Sequence, residues 1–205
     1  MFQYMPAIHI KTFPHDISKA ERKTLGRAFV QQVLQTELGV NDSLNMARTA
    51  QGKPYLADYP DFFFNYSDSG ETLVLATGGS PVGVDVERMR LRGFEGILER
   101  FFLPEETLPV RQARGEQERT AQFFRLWTAK ESLLKYVGCG LGGEMRRYPV
   151  LGDYARYEGK RLRLRTYIVR NGRQMEYTAA VRCGDLILTL CSESEEEPRF
   201  IFYPE

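Results

Sequence analysis

Two short stretches carry side chains able to do chemistry together. One is Gly83-Val84-Asp85-Val86-Glu87, and the other is Trp127-Thr128-Ala129-Lys130-Glu131-Ser132-Leu133-Leu134-Lys135. The first reads as a strand, in which residues two apart face the same way, so Asp85 and Glu87 project together. The second reads as a helix, with Trp127, Glu131 and Lys135 stacked on one side at four-residue spacing. Brought together, strand and helix converge three carboxylates and a lysine. An all-oxygen donor set suits a hard divalent cation such as Mg²⁺, and a lysine beside it suits a phosphate. That is the outline of a phosphoryl-transfer site.

Taken one at a time, the same residues have plainer readings. Asp85 and Glu87 at the end of an apolar strand can be solvated or pair with Arg88 and Arg90. Glu131 followed by Lys135 is a favourable helix pair worth roughly a few tenths of a kcal/mol. Trp127 at the same spacing reads as core. The metal-phosphate reading rests on the combination.

The elements that must position these residues follow from pattern and punctuation. Residues 4–13 alternate weakly and read as a first strand. A helix over residues 17–38 carries Leu25, Phe29 and Val33 on one stripe and stops at Gly39. Residues 46–50 form a short strand before the turn Gly52-Lys53-Pro54, and residues 62–67 and 72–77 form two more, joined through Asp68-Ser69-Gly70. Residues 82–87 close this half as a buried strand. In the second half, residues 94–102 are a short amphipathic helix, Pro104 opens another turn or helix, and residues 117–137 form a long helix ending at Gly138. Strands over 162–170 and 174–183 are linked by Asn171-Gly172-Arg173, a strong hairpin signal, and a strand over 186–191 extends them into a meander. The chain is therefore α+β, with a lobe over residues 1–88, a second over 89–205, and a cleft between them as the place for a site.

Composition narrows the class. A net charge of +1 over 205 residues argues against a purely electrostatic nucleic-acid binder. The charge is uneven, with basic residues crowded over 146–165 and acidic ones over 193–197. The basic stretch is either a docking surface for an acidic partner or a solvated structural face. The cysteines, Cys139, Cys183 and Cys191, show no metal-ligand spacing, which fits a reducing compartment. The first residues lack a signal-peptide pattern and no window has the roughly 20 apolar residues of a membrane span. A cytoplasmic protein with no membrane and no nucleic-acid partner is expected.

Several chemistries are absent. The only histidines are His9 and His15, and there is no zinc-protease motif, P-loop or Gly-x-Ser-x-Gly elbow. Gly138-Cys139-Gly140-Leu141-Gly142-Gly143 matches Gly-x-Gly-x-x-Gly, but it follows a helix where a dinucleotide fingerprint follows a strand. It reads as a helix stop and a turn beside the cleft.

In order and together, these pieces resemble the surfactin-synthetase-type 4′-phosphopantetheinyl transferases of the holo-acyl-carrier-protein synthase superfamily. That family's pattern is a Gly-[Val/Ile]-Asp-x-Glu strand, a Trp-x-x-Lys-Glu-x-x-x-Lys helix and a Gly-x-Gly-Leu turn, found here from Gly83, Trp127 and Gly138. Upstream, Gly52-Lys53-Pro54 and Phe64-Asn65-Tyr66-Ser67 match the family's Gly-Lys-Pro and Phe-Asn-x-Ser segments. The resemblance spans roughly residues 20–145 and implies two similar α+β lobes related by a pseudo-two-fold axis, in a monomer. It further implies transfer of 4′-phosphopantetheine from coenzyme A to a serine of an apo acyl or peptidyl carrier protein, leaving adenosine 3′,5′-bisphosphate.

By position, the resemblance makes Asp85, Glu87 and Glu131 the ligands of Mg²⁺ or Mn²⁺. Glu131 also helps deprotonate the serine, and Lys135 neutralises the phosphates. Lys53, Pro54 and Ser67 line the nucleotide pocket, with Arg22 on a phosphate. Asp68 stands where the family has a phosphate-contacting histidine, and an ionised carboxylate repels phosphate, so weaker coenzyme A binding is expected. A coenzyme-A- or carrier-binding homologue with little transfer activity is the alternative.

Overall fold

In the computed structural model, residues 4–139, 145–177 and 181–203 are described. The first half runs β1 (Ala7–Thr12), α1 (Lys19–Leu38), β2 (Met46–Arg48), β3 (Pro54–Leu56), β4 (Phe63–Ser69), β5 (Thr72–Gly78) and β6 (Val82–Arg88). The second runs α2 (Glu95–Phe101), α3 (Leu108–Gln112), α4 (Gly115–Val137), β7 (Val150–Leu151), β8 (Tyr154–Tyr157), β9 (Lys160–Arg170), β10 (Arg173–Glu176), β11 (Leu186–Ser192) and β12 (Arg199–Tyr203).

Local chemistry sets the helix ends. At the start of α1 the Ser18 hydroxyl accepts from the Glu21 amide, while the Glu21 carboxylate accepts from the Ser18 amide. This capping box satisfies two donors that a helix start leaves unpaired. Gly39 ends the helix at φ 68°, the left-handed conformation a C-terminal stop requires. The buried stripe is shifted from the expected one: Leu25 is exposed, and Gly26, Phe29, Val30, Val33 and Leu34 face inward. Gly26 lets the helix approach β5 closely, since a Cβ there would stand 3.0 Å from the Leu73 side chain.

Two sheets stack face to face, with orders β12-β1-β5-β4 and β6-β11-β9-β8-β7, and β10 pairs with the distal half of β9. Their strands alternate. Ile8, Ile10, Val74 and Ala76 of the first sheet meet Val82, Val84, Val86, Leu188 and Leu190 of the second in one apolar layer. The opposite face of the first sheet packs on α1 through Phe29, Leu34, Phe64 and Leu75. The opposite face of the second packs on α4 through Phe123, Leu133, Ile168 and Ile187. The result is a mixed α+β layering of helix, sheet, sheet and helix.

Strand membership crosses the midpoint of the chain. β6, from the 1–88 segment, is an edge of the second sheet, and β12, from the 89–205 segment, pairs in parallel with β1 in the first. The expected meander is also rearranged. β11 pairs with the edge of β9 opposite β10, so it slots between β9 and β6 and does not extend the hairpin. The hairpin turn itself forms as its residues require, with Asn171 and Gly172 at φ 50° and 69°. The expected strand over 174–183 is β10 in its first part, and residues 178–180 lie outside the described residues.

The acidic run after β11 answers the basic stretch. Glu193 pairs with Lys160, Glu195 with Arg163 and Glu197 with Arg165, at 2.8–3.0 Å. Tyr167 adds a hydroxyl to Glu197 at 2.8 Å. Lys160, Arg163 and Arg165 of β9 are thus held by the chain's own acids.

Lys130 and Glu106 form a buried ion pair at 2.5 Å, both with fully buried side chains. The ammonium also donates to the carbonyls of Met145 and Tyr148, and the carboxylate accepts from the amides of Leu103 and Val150. The pair fastens the linker before α3 and the chain leading into β7 onto α4. Removing one partner leaves a buried charge alone, so Lys130→Met should cost about 3–5 kcal/mol. The double variant Lys130→Met/Glu106→Leu should recover most of that loss in urea unfolding.

Candidate active site

Alternation along β6 sends Val82, Val84 and Val86 into the layer between the sheets and turns Gly83, Asp85 and Glu87 toward α4. Gly83 sets the distance. A Cβ there would overlap the Ser132 carbonyl oxygen and lie 2.9 Å from the Tyr136 Cα, so only glycine lets the strand reach the helix backbone. Glu131 and Lys135 immediately precede these two residues on successive turns of α4. Trp127, on the same stripe, sits half-buried among Phe101, Phe102 and Phe123.

Lys135 is the local centre of charge. Its ammonium donates to Asp85 Oδ1 at 2.6 Å and to Ser67 Oγ at 2.7 Å, and Ser67 Oγ lies 2.8 Å from Asp85 Oδ1. Burial pushes the Asp85 carboxyl up from its ordinary range, with Lys135 as the largest opposing influence. Burial, then the charge of Asp85, raises Glu87 as well. Glu131 is pushed up to about 7, by burial first and then by Asp85. The acids therefore feel one another, and one ammonium offsets all three.

The donor chemistry fits a hard cation. Asp85 Oδ2 is buried without a hydrogen-bond partner, and Asp85, Glu87 and Glu131 offer oxygen only. Among the described residues no three histidine, cysteine or acidic side chains lie grouped so as to hold a metal ion as they stand. With Lys135 on Asp85, the acids are arranged about an ammonium.

The nucleotide-side residues fall in several places. Ser67 belongs to the carboxylate cluster. Asp68, next on β4, turns to the opposite face with Phe64 and Tyr66, is exposed, and makes no ion pair with Arg22 or Lys53. Arg22 donates to the Gly70 carbonyl at 3.1 Å, and its Nε is buried without a partner. Lys53 donates to the Tyr136 carbonyl at 2.8 Å and the Val82 carbonyl at 3.3 Å, and burial lowers its pKa to about 8. It thus ties the β2–β3 ribbon to the end of α4 and the start of β6. Pro54 begins β3 opposite Arg48. Of the expected Gly-x-Gly-Leu turn, Gly138 and Cys139 are described, and Gly140 and Leu141 lie outside the described residues. A separate open cavity of about 930 Å³, near Leu91, Phe94, Arg111 and Arg119, includes none of the site residues in its lining.

Sequence reading missed Asn65 and Ser69 as parts of the site. Asn65 Oδ1 accepts from the Val84 amide at 2.9 Å, and Ser69 Oγ contacts Glu87 Oε2 and the Arg88 amide, each at 3.0 Å. The signal was present as a two-residue polar repeat on β4 (Asn65, Ser67, Ser69), but its partner strand was not legible.

Carboxylates beside a lysine, on a strand and helix in backbone contact, are an arrangement suited to phosphoryl transfer. The model of the 4′-phosphopantetheinyl transferase superfamily matches residues 81–191, which include all four of these groups, and the chain belongs to that family. A 4′-phosphopantetheinyl transferase of Bacillus subtilis is 34% identical over 123 residues, covering 60% of this chain and 54% of the relative. An L-aminoadipate-semialdehyde dehydrogenase-phosphopantetheinyl transferase of Rattus norvegicus is 33% identical over 141 residues, covering 62% and 46%. Its Homo sapiens counterpart matches with the same identity and coverage. The chain spans about half the length of these curated relatives.

The raised Glu131 carboxyl has a consequence for stability. The folded state holds a proton that the unfolded chain, titrating near 4.5, has already released, so stability falls as pH rises from about 4.5 to about 7 and stays lowered above. Glu131→Gln removes that cost. In metal-free buffer the variant should melt higher than the parent at pH 8 and show little difference at pH 4, checked by calorimetry.

Proposed function

We propose that this chain transfers 4′-phosphopantetheine from coenzyme A to a serine hydroxyl of an apo acyl or peptidyl carrier protein. The observation that carries this reading is the gathering of Asp85, Glu87 and Glu131 around Lys135, with Asp85 Oδ2 buried and unpartnered. Family membership and the relatives' names support it. Coenzyme A lies between two lobes related by a pseudo-two-fold axis, residues 1–88 and 89–205 with β6 and β12 exchanged between their sheets, in a cytoplasmic monomer.

Asp85, Glu87 and Glu131 would hold Mg²⁺ or Mn²⁺, which supplies Lewis-acid neutralisation of phosphate oxygens when bound. The rest falls to the protein's own groups. Glu131 takes the proton of the incoming serine directly or through a water. The serine oxygen forms a bond to the phosphorus of phosphopantetheine as the anhydride bond breaks, and adenosine 3′,5′-bisphosphate leaves. Lys135 moves its charge from Asp85 to the phosphate oxygens, where negative charge grows. Arg22 contacts a phosphate, and Lys53, Pro54 and Ser67 line the nucleotide pocket. Asp68, where a phosphate donor is expected, contributes a repulsive charge.

Incubating the protein with coenzyme A, Mg²⁺ and an apo carrier tests the proposal by mass spectrometry. A carrier mass gain of one phosphopantetheine is expected, and Glu131→Gln should slow it by about 10²-fold or more. Binding of coenzyme A without any gain would show a binding homologue instead. Asp68→His should tighten coenzyme A binding in calorimetry, and unchanged or weaker binding would remove Asp68 from the nucleotide site.

A further inference from the structure

β4 and β6 are edge strands of different sheets, and no backbone ladder joins them. Side chains at alternate positions of β4 cross the gap instead. Asn65 reaches the Val84 amide, Ser67 reaches Asp85, and Ser69 reaches both Glu87 and the Arg88 amide. We infer that Ser69 is a positioning residue for Glu87, aiming that carboxylate into the metal site. The inference rests on the metal-dependent transfer reading above.

A serine hydroxyl has one proton and two lone pairs. At Ser69 the Arg88 amide donates to Oγ at 3.0 Å, which fixes the rotor and directs its proton to Glu87 Oε2, also at 3.0 Å. Among the described residues no other group hydrogen-bonds Glu87, so Oε1 is left for a ligand. Both ends of the clamp are anchored. The Arg88 guanidinium pairs with Glu71 at 3.1 Å and donates to the Gly184 carbonyl at 3.1 Å. Ser69 sits opposite Thr72 in the tight β4–β5 hairpin, which Arg22 holds from α1 through the Gly70 carbonyl. A carboxylate gripped this way keeps its rotamer when the charges around it change. A carboxylate without such a grip must spend conformational entropy to reach a metal.

Partners of this kind typically change metal affinity by about 10- to 100-fold when removed. The test is Mn²⁺ binding to the whole purified chain, followed by electron paramagnetic resonance without coenzyme A or carrier. Ser69→Ala should weaken Mn²⁺ binding by about 10-fold or more, and Ser69→Thr, which keeps the hydroxyl, should stay within a few-fold of the parent. Ser69→Val has the shape of the threonine variant without the hydroxyl, so the Thr/Val pair isolates the hydrogen bond even if the alanine variant folds poorly. In turnover, the Ala and Val variants should need more metal for half-maximal rate while their kcat at saturating metal recovers. A purely structural serine would lower melting temperature and leave metal affinity alone. Equal Mn²⁺ affinity in the folded Thr and Val variants overturns the inference. Absence of Mn²⁺ binding by the unaltered protein overturns the metal-site reading beneath it.

Discussion

The contact on which the site depends is between two backbones. Gly83 lies so close to Ser132 and Tyr136 that no side chain fits between β6 and α4. Every functional distance is measured from that point. Asp85 and Glu87 lie two and four residues along the strand, and Glu131 and Lys135 lie on adjacent turns of the helix. Lys53 reinforces the same junction from outside, since its ammonium takes one carbonyl from α4 and one from β6. A strand and helix packed through side chains would stand several ångströms further apart, and Lys135 would not reach Asp85.

Much of this was legible in local pattern. The stop at Gly39 and the valine-rich pattern of β6 are short-range signals, each with its physical cause inside a few residues. That Asp85 and Glu87 share one face of a strand, and Glu131 and Lys135 one side of a helix, follows from two periodicities, while their meeting depends on the contact at Gly83. What was hidden depends on partners far away in the chain. Gly26, and not Leu25, lies on the buried stripe, where Leu73 approaches closely. β12 carries Phe200 and Phe202 but has no turn signal linking it to β1, its partner. Ser69 resembles a hairpin residue, and only the placement of Arg88 and Glu87 gives it another role. The charge runs over 146–165 and 193–197 were visible separately, while their mutual pairing depends on how the chain leaves β11.

The site also shows how a protein keeps several acids buried before any cation arrives. Lys135 sits on Asp85 and Ser67 and lowers the proton affinity of all three carboxyls. The lysine and the polar side chains of β4 together make the arrangement tolerable within a low-dielectric junction. The cost that remains appears as raised proton affinity on all three carboxyls.

The parallel pairing of β12 with β1 imposes an order on synthesis. β1 leaves the ribosome nearly two hundred residues before its partner, residues 199–203. Until they emerge, β1 presents an open edge, and the layer between the sheets lacks Phe200 and Phe202. An unpaired edge of that kind is a template for association with other chains. The first sheet therefore closes only after residues 199–203 have been made. A truncation just before β12 would spare every residue of the carboxylate cluster yet leave the nascent form permanently exposed.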